Sequence, residues 1–266
     1  MKAVYRKVFG IGLQDTFVYR WNFLIRSLSG VVPLLGTVLL WKSVCAANNQ
    51  VSDYSFSAMV CYFVGVLVVE NLASPTEDEW RIASEIREGQ ISAILIKPIS
   101  YLGYRLTLFL SYRFLYTIVT LPVVALVLWF LSEHIQWPEQ WWTWFFFGMA
   151  LIGSALIQFF IAYSLAMLAF WFLEVSTLIF ILYSFEYFFG GRVFPLDLLS
   201  PRIQSVLQWT PFPYELFFPV QVFLERATGA ALIRGFGFQW LWVGITAAVA
   251  RFLWSKGLKR YQAAGG

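Results

Sequence analysis

The stretch from Trp141 to Gly191 constrains this chain most, because Glu174 and Glu186 are its only charged residues. A helix crossing ~30 Å of hydrocarbon needs about 20 apolar residues, so a run of this length must fold back on itself. Glu174 marks the expected turn. Uncharged stretches of roughly 17 to 25 residues recur and predict six spans: Leu28 to Ala47, Ser55 to Leu72, Phe114 to Leu131, Trp144 to Met167, Phe172 to Phe189 and Phe236 to Trp254. The composition agrees: 59% of the 266 residues are hydrophobic, 20% aromatic and only 13% charged, a balance suited to lipid contact rather than to a hydrated surface. The expected class is an all-α integral membrane protein.

Basic residues give the orientation. Lys2, Arg6, Lys7, Arg20 and Arg26 precede the first span against one acid, Asp15, which places this segment in the cytoplasm by the positive-inside rule. Six crossings return the tail, with Arg251, Lys256, Lys259 and Arg260, to the same side. The loop between spans two and three carries Arg81, Arg87, Lys97 and Arg105, whereas Asn48 to Tyr54 and Ser132 to Gln140 contain no Lys or Arg. The net charge of +4 is therefore spread over loops and forms no nucleic-acid patch. A cleaved leader ending at Val44-Cys45-Ala46-Ala47 is the alternative for the N-terminus, but its charged part is too long and its apolar part spans a full bilayer. Within residues 1–27, Phe9, Leu13, Phe17, Trp21 and Leu24 recur at helical spacing, predicting a helix lying in the membrane interface. Cys45 and Cys61 have no metal-ligand spacing and read as two buried free thiols.

Two further segments are organised. In the cytoplasmic loop, Ser74-Pro75-Thr76-Glu77 reads as a capping box, with Asp78 and Glu79 favouring the positive helix start. Gly89 supplies the stop, and a short apolar helix, Ile91 to Ile96, follows before Lys97-Pro98. This loop is either a solvated connector or a rigid lever that docks on a partner through Arg81, Glu85, Arg87 and Glu88. On the outer side, Pro195, Pro201, Pro211, Pro213 and Pro219 punctuate apolar pieces, Ile203 to Trp209 and Tyr214 to Leu224, each too short to cross. A re-entrant or interfacial hairpin fits them better than an extracellular loop, since Phe212, Phe217, Phe218, Val222 and Phe223 are poorly suited to water. Glu186 is the acid set deepest in an apolar span, and either lines a substrate path or makes a structural hydrogen bond.

Enzyme chemistry finds little support. His134 is the only histidine and stands in a short outer turn, so neither a metal set nor a Ser-His-Asp triad is suggested. The nearest approach to a phosphate loop, Gly148 to Gly153, continues with Ser154-Ala155 instead of Lys-Ser/Thr.

Glu85-Ile86-Arg87-Glu88-Gly89 followed by Ile94-Leu95-Ile96-Lys97-Pro98-Ile99-Ser100 resembles the segment after the second span of ABC type-2 exporter permeases, particularly a bacterial six-span branch. Ala169-Phe170-Trp171, Gly191-Arg192-Val193-Phe194-Pro195-Leu196, Pro201, Thr210-Pro211-Phe212, Pro219 and the ending Lys259 to Gly266 are similar to that family's pattern in the same order. The resemblance implies a type V exporter-like fold. Six transmembrane helices are then joined by an N-terminal interfacial helix and an outer re-entrant helical hairpin before the last span. It also implies partners: two copies of a nucleotide-binding ATPase subunit, a second permease chain, identical or paralogous, and membrane lipids. ATP and Mg would bind on the ATPase, and no cofactor on this chain. Carried over, the ATPase-coupling residues are Glu77, Arg81, Glu85, Arg87, Glu88, Gly89, Ile91 and Leu95, and the outer hairpin centres on Pro201, Pro211, Phe212, Pro213 and Pro219. Arg192 and Arg202 near the outer side depart from a strict positive-inside count.

The expected organisation is one transmembrane domain over 1–266. It comprises an interfacial helix at 1–27, spans one and two at 28–72, a coupling region at 73–105, spans three to five at 106–190, the hairpin at 191–235, the last span at 236–255 and a tail at 256–266. An amphipathic or lipid-like cargo moved out of the cytoplasm or inner leaflet suits the aromatic, nearly uncharged spans. A lipid-modifying membrane enzyme, which would cluster polar residues at one depth, and a non-transporting assembly protein are the alternatives. Reporter tags on the two termini should both read out the inner side of a bacterial cytoplasmic membrane; opposite compartments would undo the six-span count.

Overall fold

The computed structural model describes residues 2–18, 20–48, 54–74 and 78–261, and all regular structure among them is helical. The helices are α1 (Lys2–Val18), α2 (Arg20–Asn48), α3 (Phe56–Ala73), α4 (Asp78–Arg87), α5 (Ser92–Leu95), α6 (Tyr101–Phe130), α7 (Trp141–Met167), α8 (Ser176–Phe189), α9 (Pro201–Leu207), α10 (Phe212–Glu215), α11 (Phe217–Phe223) and α12 (Gly229–Leu258). Five stretches are long and apolar enough to cross a bilayer: Trp21–Cys45, Phe56–Arg87, Tyr101–Phe130, Trp141–Phe170 and Gly229–Leu258. The second includes 75–77, which lie outside the described residues, but α3 alone supplies 18 residues.

The predicted fifth span, Phe172 to Phe189, comes out as α8, a helix of 14 residues and so roughly 21 Å long, short of the hydrocarbon thickness. The cause is local. Gly190 and Gly191 follow the last turn, Gly191 adopts φ +92°, and Pro195 lies just beyond. The chain then runs on beside α3 with only a single 3-10 turn, Leu196–Leu198, before α9. Tyr62 Oη donates to the Gly191 carbonyl at 2.6 Å, and Tyr54 Oη, ahead of α3, donates to Asp197 Oδ2 at 2.8 Å. A side chain at Gly191 would also meet Tyr62 Oη at 2.6 Å and Phe217 Cβ at 3.0 Å.

The third span also departs from expectation. It was bounded at Phe114 because Arg105 and Arg113 precede it, yet α6 begins at Tyr101 and holds both arginines inside, 2% and 8% exposed. Arg113 Nη1 donates to the Asn71 carbonyl at 2.6 Å, and Arg105 pairs with Glu85. Charge ends a span only where it meets no partner.

The leader segment divides at its middle. α1 packs along the first half of α6, with Val8 against Leu108 and Tyr112, the Phe9 and Phe114 rings 6.3 Å apart, and Gly12 close against Ser111. Phe17 and Trp21 remain exposed. The expected turn between spans four and five falls at 171–175, where Glu174 Oε1 accepts the Ser176 N–H at 2.7 Å, and these bonds hold its carboxyl below the usual range. Cys45 and Cys61 are free and buried.

The two pieces expected after Pro201 appear as α9 and, in place of one helix over Tyr214 to Leu224, as α10 and α11 broken at Leu216. Proline explains the break. Pro219 has no N–H to give the carbonyl four residues earlier and its ring crowds that group, which frees the Glu215 carbonyl. Ser154 Oγ and Gln158 Nε2 of α7 take it instead, the latter at 3.4 Å. Gln239 of α12, 0% exposed, donates through Nε2 to the carbonyls of Tyr214 and Ala150, both at 2.9 Å. The Phe217 N–H meets the Gly190 carbonyl at 3.0 Å. The short helices are thus bonded to the middles of α7 and α12 and to the end of α8.

Gln239→Leu should lower the thermal midpoint of the detergent-solubilised protein, by about 1–3 kcal/mol for stranding the Tyr214 carbonyl. Gly191→Ala should destabilise it too, since the positive φ and the Tyr62 contact both resist a Cβ. Unchanged melting of both would contradict this packing.

Candidate functional site

Two features outside the general packing stand out: the helices α4 and α5 between α3 and α6, and a polar cavity among α2, α3, α6 and α8.

α4 carries Asp78 and Glu79 in its first turn and Arg87 in its last, the arrangement that suits a helix dipole. Ile82 and Ile86, one turn apart, pack on Phe159, Phe160, Tyr163 and Met167 of α7. Gly89 ends the helix at φ +75°, as expected, and α5 follows.

The predicted coupling residues divide by direction. Glu77 lies outside the described residues. Glu85 turns inward, forming an ion pair with Arg105 and accepting from Tyr101 Oη at 2.9 Å, while Tyr101 stacks on Trp254 of α12 with ring centroids 4.8 Å apart. Arg81 reaches Tyr112 Oη on α6, and Arg87 Nη1 donates to the Leu173 carbonyl at 2.9 Å. The Gly89 carbonyl accepts from Tyr261 Oη at 3.0 Å, just past α12. Ile91 is 0% exposed. These contacts pin the helix pair to α6, α7, the α7–α8 turn and α12. Facing outward are Arg87, Glu88, Leu95, Ile96, Lys97 and Pro98, with Ile96 85% exposed.

The cavity has two contiguous lobes. One, of ≈ 320 Å³, is bounded by Arg26 and Leu34 of α2, Glu70 of α3, Arg113 of α6, and Arg192. The other, of ≈ 360 Å³, shares Arg26, Ser74 and Arg192 with the first and adds Glu79, Trp80, Tyr183 and Glu186. Glu186, the acid singled out in the sequence, therefore lines a cavity wall. Arg192 does not project outward as expected: it pairs with Glu70, one turn from the end of α3. Glu215, which the sequence reading passed over, is 2% exposed within hydrogen-bonding reach of Glu186. A lone acid inside the apolar run Phe212 to Phe223 was the signal that could have found it. The hairpin prolines are mostly structural: Pro201 opens α9, Pro213 is buried in α10 and Pro219 in α11, while Pro211 and Phe212 sit at the start of α10. At the far end of α11, Glu225 Oε1 accepts from Thr143 Oγ1 at 2.6 Å, which holds its carboxyl below the usual range.

Arg105→Met should destabilise the fold by up to about 3 kcal/mol, because it leaves the largely enclosed Glu85 carboxylate with the Tyr101 hydroxyl but without its cation. Adding Glu85→Gln should recover part of the loss in a double-mutant cycle of melting temperatures; strictly additive effects would deny the pair.

A comparison with curated proteins found no match. Residues 31–265, in contrast, match the family described as ABC-2 family transporter protein. That interval contains α4, α5, α9 to α11 and every cavity residue named above except Arg26. Permeases of this family work with ATP-binding partners in ABC transporters. With its several apolar helices of spanning length, this chain belongs to the ABC-2 transporter family as a multi-pass membrane permease.

Proposed function

We propose that this chain is the permease subunit of an ATP-driven exporter that carries an amphipathic or lipid-like cargo out of the cytoplasm or inner leaflet. A separate nucleotide-binding subunit, two copies per transporter, supplies ATP hydrolysis and holds ATP and Mg, and a second permease chain completes the path. This chain itself performs no catalysis.

The observation that carries the reading, beside family membership, is the attachment of α4 and α5. A solvated connector would not be held by an ion pair to α6, an apolar face to α7 and a hydrogen bond from Tyr261 to the Gly89 carbonyl while leaving Ile96 85% exposed. Such a unit transmits force. ATP-driven closure of two ATPase subunits against its outward face would move α6, α7 and α12 together, and rocking of these helices would expose the cavity alternately to the two sides. Glu85 and Ile91 anchor this lever, and Arg87, Glu88, Leu95 and Ile96 present it.

The membrane placement follows α7. Thr143, near its start, meets Glu225, and Ser154, at its middle, meets the Glu215 carbonyl. With the start of α7 on the outer side, α9 to α11 form a hairpin entering from outside and turning at mid-bilayer. The largely irregular residues after α8 then complete the fifth crossing beside α3. Backbone of this kind is tolerated at membrane depth where protein surrounds it. Both termini lie in the cytoplasm, and the membrane is a bacterial inner membrane.

Co-expression with the cognate ATPase and affinity capture of the permease tests the coupling assignment. Ile96→Asp, or Leu95→Asp, should reduce the captured ATPase about tenfold, on the order of 1.4 kcal/mol, without moving the permease melting temperature, since both side chains face outward. Undiminished capture with both variants would sink the assignment.

A further inference from the structure

Glu186 and Glu215 meet inside the protein from two different elements, α8 and α10, with their carboxyls within hydrogen-bonding reach of each other. An ionised carboxyl only accepts, so this contact is a hydrogen bond when one of the two carries a proton and a repulsion when neither does. Nothing else satisfies Glu215. It is buried, and neither of its carboxyl oxygens meets a donor among the described residues. The α7 side chains beside it, Ser154 and Gln158, donate to its backbone carbonyl instead.

The surrounding charges do not take the place of a proton. Arg26 and Arg192 line the lobe that Glu186 borders, and they balance Glu79 and Glu186 there. Glu215 is not part of that wall; it lies behind Glu186 and adds one more acid. Arg192, just after α8, is the cation that acts on both members of the pair, and Glu70 of α3 already engages it. Glu70 and Glu79 of α4 add negative charge toward Glu186, while Tyr183, one turn earlier on α8, brings a hydroxyl to the same wall. Two ionised carboxyls at this separation and depth would repel strongly.

We propose that Glu186 and Glu215 form a proton-binding site, holding one proton between them and so clasping α8 to α10. Glu186 is the port, through which the proton enters and leaves by way of the ≈ 360 Å³ lobe, and Glu215 is the enclosed partner. When the proton leaves, two like charges face each other across the joint, and α8 loosens from the short helices. The site goes beyond the exporter reading and stands on this chain alone, with neither cargo nor ATPase. The unfolded chain holds no such proton at neutral pH, so folding takes one up. The stability that the clasp contributes is therefore lost as pH rises.

Infrared spectra and melting curves of the full-length permease in nanodiscs, taken between about pH 6 and about pH 9, test the site. The C=O band of a protonated carboxyl reports the proton directly. Subtracting the Glu215→Gln spectrum from that of the wild type should leave one such band at the lower pH, which fades as pH rises, and Glu186→Gln should give the same difference. Other buried acids, such as Asp78, are present in all three proteins and cancel. Either glutamine supplies an N–H donor between the two positions without a titrating proton, so both variants should fold. Relative to them, the wild-type melting midpoint should fall with rising pH, by up to the equivalent of about tenfold in the folding constant per pH unit, the limit for one proton. A difference spectrum without the acid band, a band that does not change with pH, or equal pH dependence of melting in all three proteins would each overturn the proposal. So would a missing acid band with a midpoint raised by added sodium or potassium chloride, which would put a metal cation in the proton's place. None of these failures touches the ATPase-capture result, and loss of ATPase coupling would leave the acid band in place.

Discussion

Hydrocarbon offers no hydrogen bonds, so every backbone carbonyl that leaves a helix inside a membrane protein must find a donor from the protein itself. The region after α8 is organised around that requirement. Glycine and proline interrupt the chain at Gly190, Gly191, Pro195 and Pro219, and the freed carbonyls are each taken: Gly191 by Tyr62, Gly190 by the Phe217 N–H, Glu215 by Ser154 and Gln158, Tyr214 by Gln239. The donors come from α3, α7, α11 and α12, so satisfying broken backbone also fixes how those helices stand against one another. Removing polar residues from the spans would leave them more apolar and less able to hold the hairpin.

Charge inside the protein follows a related logic. Arg105 is almost wholly buried yet meets Glu85 and Tyr101, and Arg192 meets Glu70. A buried ion pair contributes little net stability over an apolar pair but strongly penalises any arrangement that separates its members. Its effect at Arg105 is geometric: it fixes where the α4–α5 pair sits on α6, while the partly exposed Arg192–Glu70 pair ties the residues after α8 to α3. The cavity lies alongside Arg113 and Glu186.

Much of the architecture was legible in the sequence. The long apolar run predicted a turn at Glu174 and the structure has one there. Gly89 was read as a helix stop and adopts a positive φ. Five stretches of spanning length and a shorter apolar sixth stand where periods of hydropathy put them. What the sequence did not disclose was pairing across the chain. Arg105 and Arg113 looked like boundaries because nothing local reveals that Glu85 and the Asn71 carbonyl await them. Arg192 looked outward because its position in the chain says nothing of Glu70. Pro219 was recognised as a punctuator, but its consequence, a freed carbonyl captured by α7, depends on a neighbour far away in sequence. Glu215 went unnoticed for the same reason.

Gln239 has a mechanical consequence. One amide side chain holds the floor of the hairpin and the middle of α7 at once, and Gly153 lets it approach so closely that a Cβ there would fall 2.5 Å from its carbonyl carbon. α7, α12 and the short helices between them therefore behave as one stiff slab. On the other side α2 meets its neighbours partly through packed rings, Trp41 on Phe63 and Phe23 on Tyr116, and partly across the polar cavity, so that seam is the less completely filled one.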